Sequence, residues 1–272
     1  MRNFSLTNNY NVPIENKVNE DLELINLIET FFIKKRGYVV KMPPPGTPVC
    51  VCMSGGMDSV STIAVLMDYY KLKIYPFFIN RGQSNLKWEK ESIYFYDKLF
   101  AKRYPKLFNK TFEIEVDIPS KSYKKNIVAE LKDNHIGYPA RNSIIFLSGA
   151  EYAYSLKKEG IEIQTIFGAT VVSDSLFHSS LTWTRVTNLS ICQFLNDYRW
   201  QMMSLAIEKE LGNSYDKDVL INYCKKINIP LEYTRTCVGN TEKQCGKCIC
   251  CYDRRRCFKE ANVEDKTDYL FN

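Results

Sequence analysis

Two groups of residues in this 272-residue chain carry chemistry by their type and spacing. The first is Ser54-Gly55-Gly56-Met57-Asp58-Ser59, directly after the apolar run Val49-Cys50-Val51-Cys52-Met53. A short apolar run reads as a buried strand, and the apolar spacing from Met57 to Met67 reads as a helix. Between them lies a strand-to-helix turn with two glycines and two hydroxyls, which is an anion cradle: backbone N–H groups turn inward and the helix N-terminus adds partial positive charge. The loop is shorter than a Walker loop and no Lys follows its glycines. Asp58 is the unusual member, because a carboxylate beside phosphates repels them unless a divalent cation lies between. The second group is Cys237-x7-Cys245-x2-Cys248-x2-Cys251, with Gly246 permitting the turn. Four thiolates at this spacing suit a tetrahedral, closed, structural Zn²⁺ site, and an iron–sulfur cluster is the competing occupant. Cys250, beside Cys251, reads as a bystander. Cys257 reads as structural, and Cys50, Cys52, Cys192 and Cys224 as ordinary buried residues.

The elements that must hold these groups follow from periodicity. Asn-rich residues 1–20 read as an irregular lead-in. From Asp21 to Lys34, Leu24, Leu27, Ile28, Phe31 and Phe32 recur at helical spacing. Pro43-Pro44-Pro45-Gly46 marks a stiff entry to the first strand. Strands are then expected at Lys73–Ile79, where Pro76 implies a bulge, at Thr111–Val116, and at Ile163–Phe167 ending on Gly168. Helices are expected over Leu86–Tyr104, Ser122–Asn134 and Arg141–Lys158. This alternation implies an α/β fold, a parallel sheet with helices on both faces, and a ligand outside the carboxyl ends of the strands. The positions to inspect are therefore Ser54–Ser59, Asn80–Gln83, Asp117 and Gly168–Asp174. Three regions are expected: a 1–48 extension, a 49–214 nucleotide-binding α/β domain, and a 215–272 helical segment with the four-cysteine zinc site.

Composition narrows the class. Hydrophobic content of 45% with 25% charged residues is that of an ordinary globular protein. The absence of a membrane-length run or signal-peptide core gives an expectation of cytoplasmic location without membrane contact. Ten cysteines in such a chain argue for reduced thiols and a metal, not disulfides. The net charge of +6 suits a phosphate-bearing small substrate and does not by itself indicate nucleic acid.

The Ser54–Ser59 string resembles the pyrophosphate loop of the PP-loop ATP pyrophosphatases, which cleave ATP between the α and β phosphates and adenylate a substrate oxygen. Together with Arg81-Gly82-Gln83, close to a Tyr-Gly-Gln, with Pro139-Ala140-Arg141-Asn142 opening a helix, and with Cys-x7-Cys-Gly-Lys-Cys-x2-Cys, it is similar to the 7-cyano-7-deazaguanine synthases of queuosine precursor biosynthesis. Phe258-x2-Ala261 and Asp265-x-Thr267-x-Tyr269 continue the likeness. The resemblance covers residues 49–168 and 215–270. It implies a ligase-type enzyme: ATP adenylates a deazaguanine carboxylate, ammonia gives the amide, and a second ATP drives dehydration to the nitrile. By the same resemblance Ser54, Gly55, Gly56, Met57, Asp58 and Ser59 hold pyrophosphate with Mg²⁺, Gly82, Gln83 and Gly168 border the nucleotide, and Arg141 and Asn142 stand at the mouth of the sheet. Asp58 and Arg141 are the expected catalytic residues, and a homodimer is the expected assembly.

The departure lies after the fourth strand, where the family's Asp-Tyr-Ser-Gly-Tyr-Pro-Asp-Cys-Arg-like closure is replaced by Ala169–His178 and Thr182-Trp183-Thr184-Arg185. Residues 169–190 are expected to form the pocket lid, with Asp174, Trp183 and Arg185 supplying charge and stacking and His178 on the surface. Members altered in this way occur in anti-phage defence operons. The dehydration to nitrile is therefore expected to be altered or lost, and an amine larger than ammonia, such as a protein terminus, is the alternative acceptor. A tRNA-modifying PP-loop enzyme is the other alternative, although no RNA-binding extension is evident.

Overall fold

The computed structural model describes residues 20–131, 138, 140–174 and 176–271. Most of the expected lead-in (residues 1–19), the helical stretch at 132–134, Pro139 and Ser175 lie outside them. In chain order the elements are α1 (Leu22–Arg36), β1 (Pro48–Cys52), α2 (Met57–Asp68), β2 (Lys73–Asn80), α3 (Leu86–Arg103), β3 (Phe112–Glu115), α4 (Lys124–Leu131), α5 (Arg141–Ser155), β4 (Thr165–Gly168), α6 (Leu181–Phe194), β5 (Gln201–Ser204), α7 (Lys217–Lys226) and α8 (Ile249–Glu260). The five strands form one parallel sheet in the order β3-β2-β1-β4-β5.

β1 is central because both of its faces are apolar. Its side chains alternate between two cores, as the pleat requires. Val49 and Val51 point into a core with α2, α3, α7 and α8, and Cys50 into a second core with α5, α6 and α1. Tyr75, Phe77 and Ile79 of β2 join the second core, and Ile74 and Phe78 the first. α5 lies close to the sheet because Gly149 faces the Phe77 ring with no Cβ between them. Residues Ile28 and Phe32 of α1 sit in the second core, so this helix is packed structure.

Pro76 causes no bulge: the register runs one-to-one from Pro48↔Lys73 to Cys52↔Phe77. Ile74, two residues earlier, donates its N–H toward Leu107 on the β3 side, so the missing Pro76 donor faces that side too. Pairing with β3 begins only at Phe77↔Phe112, so no ladder bond is lost there. The larger correction concerns residues 169–190. From Leu181 this stretch is the helix α6, flanked by the short strand β5, and before it the described residues form a loop with a short turn at Phe177–Ser179. Thr, Trp and Asn at 182–188 hid a helix whose buried positions, Leu181, Thr184, Arg185, Thr187, Asn188, Ile191 and Cys192, still follow helical spacing.

Candidate active site

At the carboxyl ends of β1, β2 and β4, two adjoining cavities of about 350 and 680 Å³ share Ser54, Gly56, Asp58, Glu89, Arg141 and Asp174. The cradle loop is fixed from behind. Gly55 has φ +72°, and a Cβ there would lie 2.9 Å from the Glu89 carbonyl oxygen. The carbonyl of Gly55 accepts from Ser92 Oγ and from the Arg235 N–H, both at 2.8 Å. Ser59 Oγ donates to the Gly56 carbonyl at 3.0 Å and lies 3.1 Å from Ser54 Oγ, and the Gly56 N–H donates to Ser54 Oγ at 3.3 Å. The α2 N-terminus above them has no side-chain cap, and its first residues, Met57 and Asp58, line the larger cavity.

Asp58 stands in the first turn of α2. Its Oδ2 is 3.8 Å from Lys217 Nζ, which also forms a short contact with Asp253 of α8. Burial raises the Asp58 carboxyl to about 7; Lys217 opposes this, while Asp174, Asp253 and Asp216 add to it. Its Oδ1 is buried without a hydrogen-bond partner. A carboxylate with an unpartnered oxygen, beside a phosphate-type cradle and other carboxylates, fits a divalent cation.

Past β2, Gln83 accepts from the Arg81 N–H at 2.9 Å and donates to Glu89 Oε2 at 2.5 Å. Burial raises the Glu89 carboxyl, with Gln83 and Arg81 opposing it. Arg141 opens α5. It donates through Nε to Asn142 Oδ1 at 3.0 Å and places Nη2 2.9 Å from His178 Nε2, while Asn142 Nδ2 donates to the His178 carbonyl at 2.7 Å. Burial and the adjacent guanidinium both lower the His178 pKa, which keeps the imidazole neutral and able to accept. Arg141 is lowered by burial and by Arg81.

Of the expected residues, Ser54, Gly56, Asp58, Ser59, Gln83, Arg141 and Asn142 line these cavities, with Met57 in the larger one. Gly55 and Gly82 (φ +66°) shape the loops behind them. Gly168 lies beneath the site: a Cβ there would meet Ser204 Oγ at 2.6 Å and the Phe146 ring at 3.1 Å, and Ala169 and Thr170 line the wall instead. Asp117 pairs with Lys121 at 3.4 Å. The expected lid residues Trp183 and Arg185 are corrected. The Arg185 side chain is 0% exposed, donating to Glu29 at 2.9 Å and to both oxygens of Glu208 at 2.9 and 2.6 Å. It cannot reach a substrate. Trp183 donates to Ser143 Oγ at 2.9 Å and packs edge-on against Phe146. Asp174 does face both cavities. Sequence reasoning missed Glu89, Lys217, Asp253 and Arg235, and left His178 on the surface. None of these sits in a motif of its own, and only the fold brings them to the cradle.

The four thiols of Cys237, Cys245, Cys248 and Cys251 have sulfurs within 4.8 Å of one another, with separations of 3.4 Å for Cys248–Cys251 and 3.9 Å for Cys248–Cys237 and Cys245–Cys251. A tetrahedral ion with metal–sulfur bonds of about 2.3 Å requires about 3.8 Å. A four-iron cluster would put each thiolate on a different iron and spread them farther apart. Backbone N–H groups of Gly239 and Cys245 point at Cys237 Sγ, and those of Lys247 and Cys248 at Cys245 Sγ, at 3.3 to 3.4 Å. Those of Lys247 and Cys248 help bring the Cys245 thiol down to about 6. Gly246 supplies the left-handed turn between ligands, at φ +75°. Cys250 stays outside the cluster and lines the larger cavity.

Residues 48–262 match the family described as queuosine biosynthesis protein QueC. The 7-cyano-7-deazaguanine synthase of Acetivibrio thermocellus is 31% identical, covering 81% of this chain and 96% of that protein. The proteins of the same name from Nautilia profundicola and Methanobrevibacter smithii are 26% and 24% identical, each covering 80% of this chain and 96% and 95% of their own.

Proposed function

This chain belongs to the QueC family of queuosine biosynthesis proteins, and from that premise we propose that it uses ATP to activate the carboxylate of 7-carboxy-7-deazaguanine. The carboxylate oxygen attacks the α-phosphorus, the bond to the β-phosphate breaks, and pyrophosphate leaves. Ammonia displaces AMP from the resulting acyl adenylate to give the amide. A second ATP adenylates the amide oxygen, and loss of AMP and a proton yields the nitrile.

The observation that carries this reading is Asp58, whose Oδ1 is buried without a partner at the base of the Gly-Gly cradle. Mg²⁺ held by Asp58 would neutralise the triphosphate and polarise the α-phosphorus. The chain's own groups do the remaining positioning. Backbone N–H groups in the first turn of α2, with the Ser54 hydroxyl and that of Ser59 once it turns from the Gly56 carbonyl, receive the departing pyrophosphate. Arg141, held by His178, takes a phosphate or the substrate carboxylate in its guanidinium fork. Lys217 balances the carboxylates around Asp58. Cys237, Cys245, Cys248 and Cys251 would hold Zn²⁺ in a structural role. Incubation with ATP and 7-carboxy-7-deazaguanine should give AMP, pyrophosphate and the amide or nitrile by mass spectrometry. Appearance of ADP and phosphate instead would overturn the assignment.

A further inference from the structure

The family match begins at residue 48, yet the segment before it reaches the loop that shapes this site. The first turn of α6 has three N–H groups to satisfy before Thr184 bonds back to the Ser180 carbonyl at 3.1 Å. Ser180 Oγ, the local cap, accepts from Trp183 N–H at 3.0 Å. The other two go to one carboxylate from another part of the chain. Leu181 N–H donates to Glu20 Oε1 and Thr182 N–H to Glu20 Oε2, both at 2.8 Å, and the Thr182 hydroxyl donates to Oε2 at 2.7 Å. A return bond runs from Asp21 N–H to Thr182 Oγ1 at 2.8 Å. One turn into α1, Ile25 packs with Leu181, Ile207 and Val172, the last in the loop after β4.

A helix is capped adequately by its own Ser, so a second clamp from 161 residues away adds orientation more than helicity. What it orients is the turn at Phe177–Ser179, immediately upstream. There the His178 carbonyl accepts from Asn142, and the His178 ring accepts from Arg141. The connection is therefore continuous: Glu20, first turn of α6, His178, Arg141.

Resting on the function given above, we propose that Glu20 is a positioning residue, which fixes the Arg141 guanidinium over the nucleotide cavity through the α6 N-terminus and His178. A fork that binds phosphate or carboxylate with two parallel bonds must be held in one plane, and loss of that alignment lowers turnover without removing a contact group.

The test compares Glu20→Ala with Arg36→Ala. Arg36, at the far end of α1, donates to the carbonyls of Tyr198 and Trp200 and lies away from the cavities, so its loss weakens the docking of α1 without touching the α6 N-terminus. Pyrophosphate release and amide hydrogen exchange over residues 177–184 are measured in the full-length protein. Glu20→Ala should lower kcat/KM about tenfold and expose those amides. Arg36→Ala should leave kcat/KM within about twofold whatever its Tm. Glu20→Gln, which keeps one acceptor oxygen, should fall between. The pair Glu20→Ala/His178→Ala should be no worse than His178→Ala alone, since both act through Arg141. Equal kcat/KM for the Glu20 and Arg36 variants, or additive losses at Glu20 and His178, would overturn the proposal. If the wild-type protein releases no pyrophosphate, the functional reading has failed independently. Exchange then decides: lost protection at 177–184 in Glu20→Ala supports the clamp, and unchanged protection refutes it.

Discussion

Asp58 combines three properties that are costly for stability and useful for chemistry: burial, an unpartnered oxygen, and neighbouring carboxylates. With its carboxyl near 7 against an ordinary value of 3.8, burial among other carboxylates disfavours the charged form, and this cost grows as pH rises from 3.8 through 7. Asp58→Asn should therefore raise the unfolding midpoint of the ligand-free protein above about pH 7 while lowering pyrophosphate release by at least about a hundredfold. A midpoint that falls at about pH 8 would contradict the charge argument, and retained turnover would contradict the role. Asp265 shows the opposite sign. Burial pushes its carboxyl up, but Arg254, the Tyr269 hydroxyl and Thr267 outweigh it and hold it below the ordinary value. Its contribution is thus present above about pH 4 and lost as pH falls through the depressed value. Asp265→Asn, by leaving the fully buried Arg254 without its ion pair, should cost about 3–5 kcal/mol at about pH 7. In urea titrations the gap to wild type should close on acidification below about pH 4.

At the scale of elements, the cysteine knuckle and the cradle were legible because each is a local string whose spacing dictates one geometry. The strands and helices through β4 were legible to within a few residues for the same reason: alternation and helical spacing are set by neighbours in sequence. α6 and β5 were not. Helix α6 is held in place by a remote carboxylate at its N-terminus and a buried Arg185–Glu208 pair, neither visible in a local pattern. Lys217 and Asp253 were illegible for a similar reason, since nothing near either in sequence marks them for the cradle. Two element-level outcomes follow. Cys248→Ser should abolish stoichiometric zinc by elemental analysis and lower Tm, whereas Cys250→Ser, outside the cluster, should retain the metal. Visible absorption with bound iron in anaerobically purified protein would replace zinc with a cluster. Gly149→Ala should destabilise the fold by about 1–3 kcal/mol, because the added methyl meets the Phe77 ring where α5 crosses β2. An unchanged urea midpoint would show that α5 can retreat freely from the sheet.

For the whole molecule, the four-cysteine cluster and the cradle are tied together. Arg235 gives its N–H to the Gly55 carbonyl, and its guanidinium donates to the carbonyls of Cys237, Glu242 and Gly239 around the first thiolate. Chelation that strips the metal should therefore weaken ATP binding by calorimetry, although none of the four clustered thiols lines the nucleotide cavities. Undiminished affinity in the stripped, still folded protein would separate the two. The same bond has a consequence for synthesis. The glycines of the cradle leave the ribosome about 180 residues before Arg235 does, at roughly 5–20 residues per second. A nascent chain thus spends many seconds with its sheet begun and its nucleotide loop unsupported. Competence to hold ATP arrives late, as a property of the finished polypeptide, and translation-arrested chains ending before residue 235 should not be retained on immobilised ATP.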